Sequence, residues 1–522
     1  MERQISVEEG LLAKPYQNYG TTSDCGDTAS LPSIRNSSGS DATTAVVVFS
    51  TLVAVSGSFC YGIAVGYSSP AEAGIVEDLG LSIAAYSVFG SIMTIGGMLG
   101  AILSGKIADI FGRRNVMWLS ELICTLGWLA IAFAKDALWL DSGRLLIGFG
   151  AGIISYVIPI YVAEISPKDF RGVFTAFHQV TLYHNLMNTF GCSLAYFFGN
   201  VIPWRILALI GVIPCVLQLI GLFFIPESPR WLVKIGKEKE FETTLQNLRG
   251  KGADISQEAA EIRDHIEISQ KHSEARLLNL FQRRYANSLI IGVGLMLLQQ
   301  FGGASAMAYY TISIFEKAGA SGSIGSRGIA IIQIPAVIAG VLLMDKAGRK
   351  PLLMVITTSR TLFKMFDFVD QRGYENGYQY LQISACGMAF GCFLIGLSFY
   401  LKEVKNMNDA AHILVLVGFM GCSAFNSIGL AGIPFIIMSE IFPINVKASA
   451  GSLVILICWS CSWIVTYTFN FMMQWSSAGT FFIFSGIGFF TVLFVAKIVP
   501  ETKGRTLEEI QDSIITSFAG LR

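Results

Sequence analysis

Charge is scarce in this chain. Asp, Glu, Lys and Arg make up 14% of its 522 residues, where a soluble domain carries about 25%. Hydrophobic residues make up 53% and mean hydropathy is +0.56. A soluble globular class is thereby excluded, and a membrane protein with many spans is indicated. Net charge is zero, so nothing in bulk argues for a nucleic-acid partner. The five histidines are too few and too scattered for a metal cluster. Of the ten cysteines, all but Cys25 lie in or beside apolar runs. There they read as small buried residues, not as a disulfide framework. Residues 1–43 hold no early apolar core; rich in Ser, Gly and Thr, they read as a disordered tail and not as a signal peptide. No nucleophile–base pair or Gly-rich phosphate loop is present, so an enzyme is not expected and no cofactor is called for.

A spanning helix needs roughly 20 apolar residues. Candidate spans fall at 44–65, 83–104, 116–133, 145–162, 174–198 and 206–225. After a polar stretch at 227–287, a second set falls at 288–315, 329–344, a disturbed region after 352, 413–438, 449–472 and 481–499. Lys and Arg set the orientation. Lys106, Arg113 and Arg114 follow span two, Lys168 and Arg171 follow span four, and Lys346, Arg349 and Lys350 follow span eight. The loop after span one, 67–81, has neither. Both termini and the 227–287 stretch are therefore expected in the cytoplasm. Within that stretch Phe241, Leu245 and Leu248 share one helical face, so a helical linker under the membrane domain is expected.

Several signatures occur twice. Asp109, Gly112, Arg113 and Arg114 in A-D-I-F-G-R-R-N correspond to Asp345, Gly348, Arg349 and Lys350 in M-D-K-A-G-R-K-P. P-I-Y-V-A-E-I-S-P around Glu164 is echoed around Glu440, and P-E-S-P-R-W at Glu227 by P-E-T-K-G-R-T at Glu501. Glu164 and Glu227 are 63 residues apart, Glu440 and Glu501 61. Asp109 and Glu164, however, are 55 apart, against 95 for Asp345 and Glu440. The excess maps to 357–382, which holds Arg360, Lys364, Asp367, Asp370, Arg372 and Glu375. Charges near a bilayer centre cost about 2.5–3.5 kcal/mol each on insertion scales, so this segment cannot span. It reads as an insertion at the start of span nine, of splicing or gene-model origin; the alternative is a regulatory cytoplasmic loop. The expected domains are the tail 1–43, a six-helix bundle at 44–226, the linker 227–287, a second bundle at 288–499 interrupted at 357–382, and a cytoplasmic tail at 500–522.

Taken together and in order, D-x-x-G-R-R, P-x-Y-x-x-E, P-E-S-P-R-W, Q-Q-F-G-G and P-E-T-K-G-R-T resemble the sugar porter family of the major facilitator superfamily. Y-S-S-P at 67–70 and L-R-G-K-G-A-D-I-S at 248–256 resemble its plant early-responsive-to-dehydration-type monosaccharide transporters. The resemblance implies an all-α membrane protein with the major facilitator fold: twelve transmembrane helices in two bundles around a cavity that opens alternately to each side. It also implies a cytoplasmic latch formed by Asp109, Arg113, Arg114, Glu164 and Arg171 in one half and Asp345, Arg349, Lys350, Glu440 and Lys447 in the other. The alternative is that these charges only anchor the topology.

A neutral sugar needs side chains with both donors and acceptors, and an aromatic face. Gln179 lies within span five and Gln299 and Gln300 within span seven, where amides are expensive unless they serve something. The family's sugar-binding positions correspond to Gln179, Gln299, Gln300, Gln333 and Trp459. Ser305 and Cys458 stand where the family often has Asn, and Phe435 where it has Trp, so fewer amides would reach the sugar. Proton-coupled relatives carry an Asp in span one; here 59–66 reads F-C-Y-G-I-A-V-G. That absence favours facilitated diffusion of a hexose, with a proton symporter as the alternative and a non-transporting sensor or inactive isoform as the third. Arg144 is left without that partner and is expected to snorkel. The expected partners are a sugar, the lipid bilayer and, for a symporter, protons. E-E-G-L-L at 8–12 approximates an acidic dileucine signal, and the resemblance leans to the vacuolar membrane ahead of the plasma membrane.

Overall fold

The computed structural model describes residues 38–167, 173–250, 252–271, 282, 285–346, 377–405, 408–442 and 446–499. The first six long helices are α1 (Ser38–Leu79), α2 (Ile83–Phe111), α3 (Arg113–Ala132), α4 (Ala137–Ile165), α5 (Val173–Gly199) and α6 (Trp204–Leu222). Short helices α7 (Pro229–Lys234), α8 (Glu238–Arg249) and α9 (Ser256–Lys271) follow. The second set comprises α10 (Ala286–Phe301), α11 (Ala304–Tyr309), α12 (Thr311–Ala318), α13 (Gly322–Lys346), α14 (Gly377–Lys405), α15 (Asn408–Phe425), α16 (Ile433–Ile441), α17 (Lys447–Trp475) and α18 (Ser477–Ile498). Among the described residues, 11 helical stretches are long and apolar enough to cross a membrane; α5, with 27 residues, is a further long helix. With α5 the long helices number twelve among the described residues, as the resemblance to the major facilitator fold implies.

Local chemistry sets the ends. Ser82, Asp136 and Ser476 cap α2, α4 and α18 by accepting from the backbone N–H three residues on. Gly112, at φ 88°, ends α2 and begins α3 in a one-residue turn. A side chain there would strain the backbone and place Cβ 2.6 Å from Glu227 Oε2.

Two expected spans are not continuous helices. Span seven breaks after Phe301, where Gly303 takes φ 86°, and resumes as α11 and α12. Span ten loosens into a π-helical turn at Asn426–Leu430 before α16. Gly429, Gly432 and Pro434 weaken the helix there: two lack a Cβ and the third lacks an N–H. Neighbours take up the freed groups. Gln299 Nε2 donates to the Leu430 carbonyl at 2.7 Å, Leu430 N–H donates to Ser384 Oγ at 2.9 Å, and the Ser384 hydroxyl donates to the Phe425 carbonyl. The 357–382 segment lies outside the described residues except for its last six, which form the first turns of α14.

Small residues let the helices of the first set approach closely. A Cβ on Gly62 of α1 would overlap the Asn188 carbonyl oxygen of α5, and one on Gly66 would lie 2.6 Å from the Cys192 carbonyl oxygen. The two sets meet where α2 packs on α17 and α5 on α13. Between them in sequence, α7–α9 enclose a small core of Trp231, Leu232, Phe241, Leu245, Ala259 and Ile262. Phe241, Leu245 and Leu248 are fully buried, as their shared face predicts.

Candidate transport site

At the α2–α3 turn the charges close on one another. Arg113 forks onto Glu164 of α4, with Nε to Oε2 at 3.0 Å and Nη2 to Oε1 at 3.1 Å. The two side chains are only 12% and 11% exposed, so water screens this pair weakly. Ser228 Oγ donates to Glu164 Oε2 at 2.5 Å. Glu227 accepts from the backbone N–H groups of Arg113 (2.9 Å), Arg114 (3.1 Å) and Ser228 (2.8 Å). It thereby satisfies the first amides of α3, where an anion is also favoured by the helix dipole. Burial pushes the Glu227 carboxyl above its ordinary range, and the same three amides pull it back. Arg114 Nη1 donates to the Ile225 carbonyl at 3.2 Å. Asp109 pairs with Lys234 at 3.0 Å and with Arg113 at 3.5 Å, while its carbonyl accepts from Trp231 Nε1 at 2.9 Å. Arg249 carries the network to the end of α4, donating to the Ile165 and Ser166 carbonyls at 2.9 and 3.1 Å. In the matching half, Arg349 and Lys350 lie outside the described residues, as does Arg171; the side chains of Asp345, Glu440 and Lys447 do too.

Half-way along the spans, the expected sugar residues separate into two groups. Gln300 Nε2 donates to Cys458 Sγ at 3.2 Å, and its Oε1 accepts from Ser305 Oγ at 2.8 Å. Next to Cys458, the Trp459 ring lies against Gly97 of α2 and meets Tyr61 of α1 edge-on at 6.0 Å. Gln300, Ser305, Cys458, Trp459 and Tyr61 thus bring both helix sets to one place. Gln299 and Gln333 point elsewhere, towards span ten: Gln299 to Leu430, and Gln333 to Ser423 Oγ at 2.7 Å. Among the described residues, Oε1 of each is buried without a hydrogen-bond partner, an acceptor open to a hydroxyl. Gln179 sits on α5, but its side chain lies outside the described residues.

The sequence reading missed the polar run of α5. His184 Nδ1 lies 2.6 Å from Ser58 Oγ, Asn185 Nδ2 lies against Gly432 of the second set, and Asn188 Oδ1 is buried without a partner. The signal was available: Y-H-N-L-M-N-T is an unusually polar string inside an apolar span. Tyr61 carried no such mark.

The two sets are hydrogen-bonded at the end away from Arg113. Ile312 N–H donates to Ser69 Oγ (2.8 Å), Tyr196 to the Ala308 carbonyl (2.5 Å), Asn200 to Ser326 Oγ (2.8 Å) and Asn470 to Ser87 Oγ (3.0 Å). Ser313 also donates to the Glu72 carboxylate. Ser87 and Asp109 are 22 residues apart on α2, about 33 Å along the axis at 1.5 Å per residue. This seal and the Arg113 network therefore occupy opposite ends.

Arg144 does not snorkel. It is fully buried, with Nη1 donating to the Ala64 carbonyl at 2.7 Å and Nη2 to Ser68 Oγ. Its guanidinium lies 4.6 Å from the Phe89 ring and 5.2 Å from the Tyr67 ring. Carbonyl dipole, hydroxyl and aromatic faces stand in for a carboxylate, so the side chain has no need to reach the membrane surface.

Comparison with known proteins agrees with this arrangement. A family profile described as "Sugar (and other) transporter" matches residues 44–513. The sugar transporter ESL1 of Arabidopsis thaliana is 49% identical over 513 residues, covering 98% of each chain. The sugar transporter ERD6 of the same plant is 45% identical over 522 residues, again covering 98% of each. Among solved structures, the inward-open xylose transporter XylE from E. coli aligns with a TM-score of 0.69 at 24% identity, over 89% of this chain and 99% of that one. XylE bound to 6-bromo-6-deoxy-D-glucose aligns with a TM-score of 0.68 at 23% identity, over 90% and 99%. Fold and relatives define a multi-pass membrane transporter, not an enzyme. The chain belongs to the sugar porter family of the major facilitator superfamily, among its ERD6-type members.

Proposed function

We propose that this protein moves a hexose across its membrane by alternating access, as a facilitator running down the sugar gradient. The observation that carries the reading is the midspan group where the two helix sets meet. Gln300, Ser305 and Trp459 there offer a donor, acceptors and an aromatic face, with spare amide oxygens on Gln299 and Gln333. Gln179 of α5 is assigned to the group from its correspondence to the family's sugar-binding positions. Tyr61, His184, Asn185 and Asn188 extend it.

The Arg113 end is read as cytoplasmic, from the Lys and Arg that follow spans two, four and eight. The Arg113–Glu164–Glu227 network is one half of a latch whose other half is Asp345, Arg349, Lys350, Glu440 and Lys447, with Arg171 beside the first. With the far end bonded shut, the cycle would exchange that seal for a closed latch. The packing of Gly62 supports the facilitator reading: a carboxylate at this position of span one has no room against Asn188. The vacuolar membrane is the proposed location.

Labelled hexose uptake into proteoliposomes, with and without a pH gradient, tests the whole. Uptake indifferent to the gradient is expected. Acceleration by the gradient would replace the facilitator with a proton symporter. Absence of uptake by a correctly folded protein would favour a sensor or, if deletion of 357–382 restores it, an inactive isoform.

A further inference from the structure

The first helix set holds a second polar cluster that the transport reading leaves unused. Cys60 of α1, Glu121 of α3 and Cys215 of α6 are all buried, and a ligand atom from each lies within 4.8 Å of the other two. Gln218, one turn beyond Cys215, is 2% exposed. Its Oε1 is 3.8 Å from Cys60 Sγ, and its Nε2 has no hydrogen-bond partner. Neither oxygen of Glu121 has one either, although the side chain is completely buried. Beside the cluster is a void of about 10 Å³ lined by Cys60, Tyr61, Cys124 and Trp128. That is room for about one water-sized particle, and Tyr61 of the midspan group is part of its lining.

A buried carboxyl with two open oxygens stays ionised only where a cation compensates it, and otherwise keeps its proton. Arg144 of the same helix set is engaged elsewhere, with Ala64, Ser68, Met93, Tyr67 and Phe89. Two thiols lie beside Glu121, and an amide oxygen lies beside one of them: thiolates, carboxylate and amide are a donor set for a thiophilic metal. In a tetrahedral zinc site, Zn–S bonds of about 2.3 Å and Zn–O bonds of about 2.1 Å put sulfur and oxygen about 3.6 Å apart, close to the Cys60–Gln218 separation.

We propose that Cys60, Glu121, Cys215 and Gln218 form an intramembrane site for a thiophilic divalent cation such as Zn²⁺, tying α1, α3 and α6 together. Binding expels three protons, one from each thiol and one from the carboxyl, as the sulfur and oxygen lone pairs go to the metal. Two thiolates cancel the dication, and the carboxylate leaves one net negative charge. Arg144, on α4 of the same helix set, carries the opposite charge among uncharged partners. The site is distinct from the sugar residues and does not depend on which sugar is carried.

The test uses the purified full-length chain in detergent. After dialysis against Zn²⁺, one metal per chain is expected. Cd²⁺ in its place should give the ultraviolet thiolate-to-metal charge-transfer band. Cys60→Ser and Cys215→Ser should each abolish that band and weaken affinity at least 100-fold, with elution as a monodisperse peak confirming the fold. Glu121→Gln should weaken affinity about tenfold, and Cys386→Ser, remote from the site, should change nothing. If the cysteine variants do not fold, the wild-type stoichiometry and charge-transfer band still decide. No retained metal, a band indifferent to Cys60 and Cys215, or thiol counting that shows these two oxidised to a disulfide would each overturn the proposal.

Discussion

At the α2–α3 turn, charge meets charge: Arg113 forks onto Glu164 and Lys234 reaches Asp109. Inside the first helix set, Arg144 is held by a carbonyl, a hydroxyl and two rings, and Glu121 has only two thiols beside it among the described residues. The difference follows from the solvent. Near the membrane edge, water can enter when a pair opens, so a pair there can break and re-form during a cycle. In the bilayer interior no water compensates an opened pair. Arg144 is held there by fixed groups and suits a static role.

Four measurements would break or sharpen that contrast. The largest effect is expected from Gly62→Asp, which puts a carboxylate into span one facing α5. Its Cβ would overlap the Asn188 carbonyl, and overpacking a close helix contact costs about 3 kcal/mol. The variant should be lost from the monodisperse fraction in size-exclusion chromatography. A folded variant with gradient-driven uptake would show that α1 and α5 can part.

Next comes Arg113→Ala, which leaves Glu164 buried and unpaired. Removing one partner of such a pair costs about 3–5 kcal/mol, so both thermal stability and transport should fall sharply. The double variant Arg113→Met with Glu164→Met should recover more than half of the stability while transport stays low. Recovery of transport as well would reduce the network to a topological anchor.

Gln300→Ala removes a single amide from the midspan group. One hydrogen bond of about 1.4 kcal/mol corresponds to a tenfold change. A tenfold rise in the KM for hexose is expected, with the amount of protein in the membrane unchanged. An unaltered KM would remove Gln300 from the site.

The smallest effect should come from Glu227→Gln. Burial raises the Glu227 carboxyl in the folded state, so the folded protein holds that proton more tightly than the unfolded chain does. Its contribution to stability is therefore full below the unfolded value and is lost as pH rises through the folded one. The stability deficit of the variant should narrow as pH climbs through and above the carboxylate range, read by thermal unfolding in detergent. A deficit independent of pH would mean that the amide contacts alone matter.

Much of this was legible in the residues because membrane insertion imposes one strong rule. A run of about 20 apolar residues must become a helix that satisfies its own backbone, and the long helices fall where those runs are. The Phe241, Leu245 and Leu248 face was visible for a related reason, since a 3.6-residue period needs no tertiary knowledge. The breaks in spans seven and ten were less visible. Gly303, Gly429 and Gly432 permit a break, but whether one occurs depends on what satisfies the freed carbonyls, and Gln299 and Ser384 come from other helices. Arg144 was misread for the same reason. Its partners Ala64, Ser68 and Phe89 lie on α1 and α2, and nothing local announces them.

By itself the sequence determined the family, the count of spans and the pairing of motifs across its halves, because hydrophobic length and motif order are properties of a line. Only the tertiary structure decided which way each glutamine turns, how Arg144 is neutralised, and that Cys60, Glu121 and Cys215 share one pocket. Those residues come from separate helices. Their chemistry depends on distances of a few ångströms that packing alone sets.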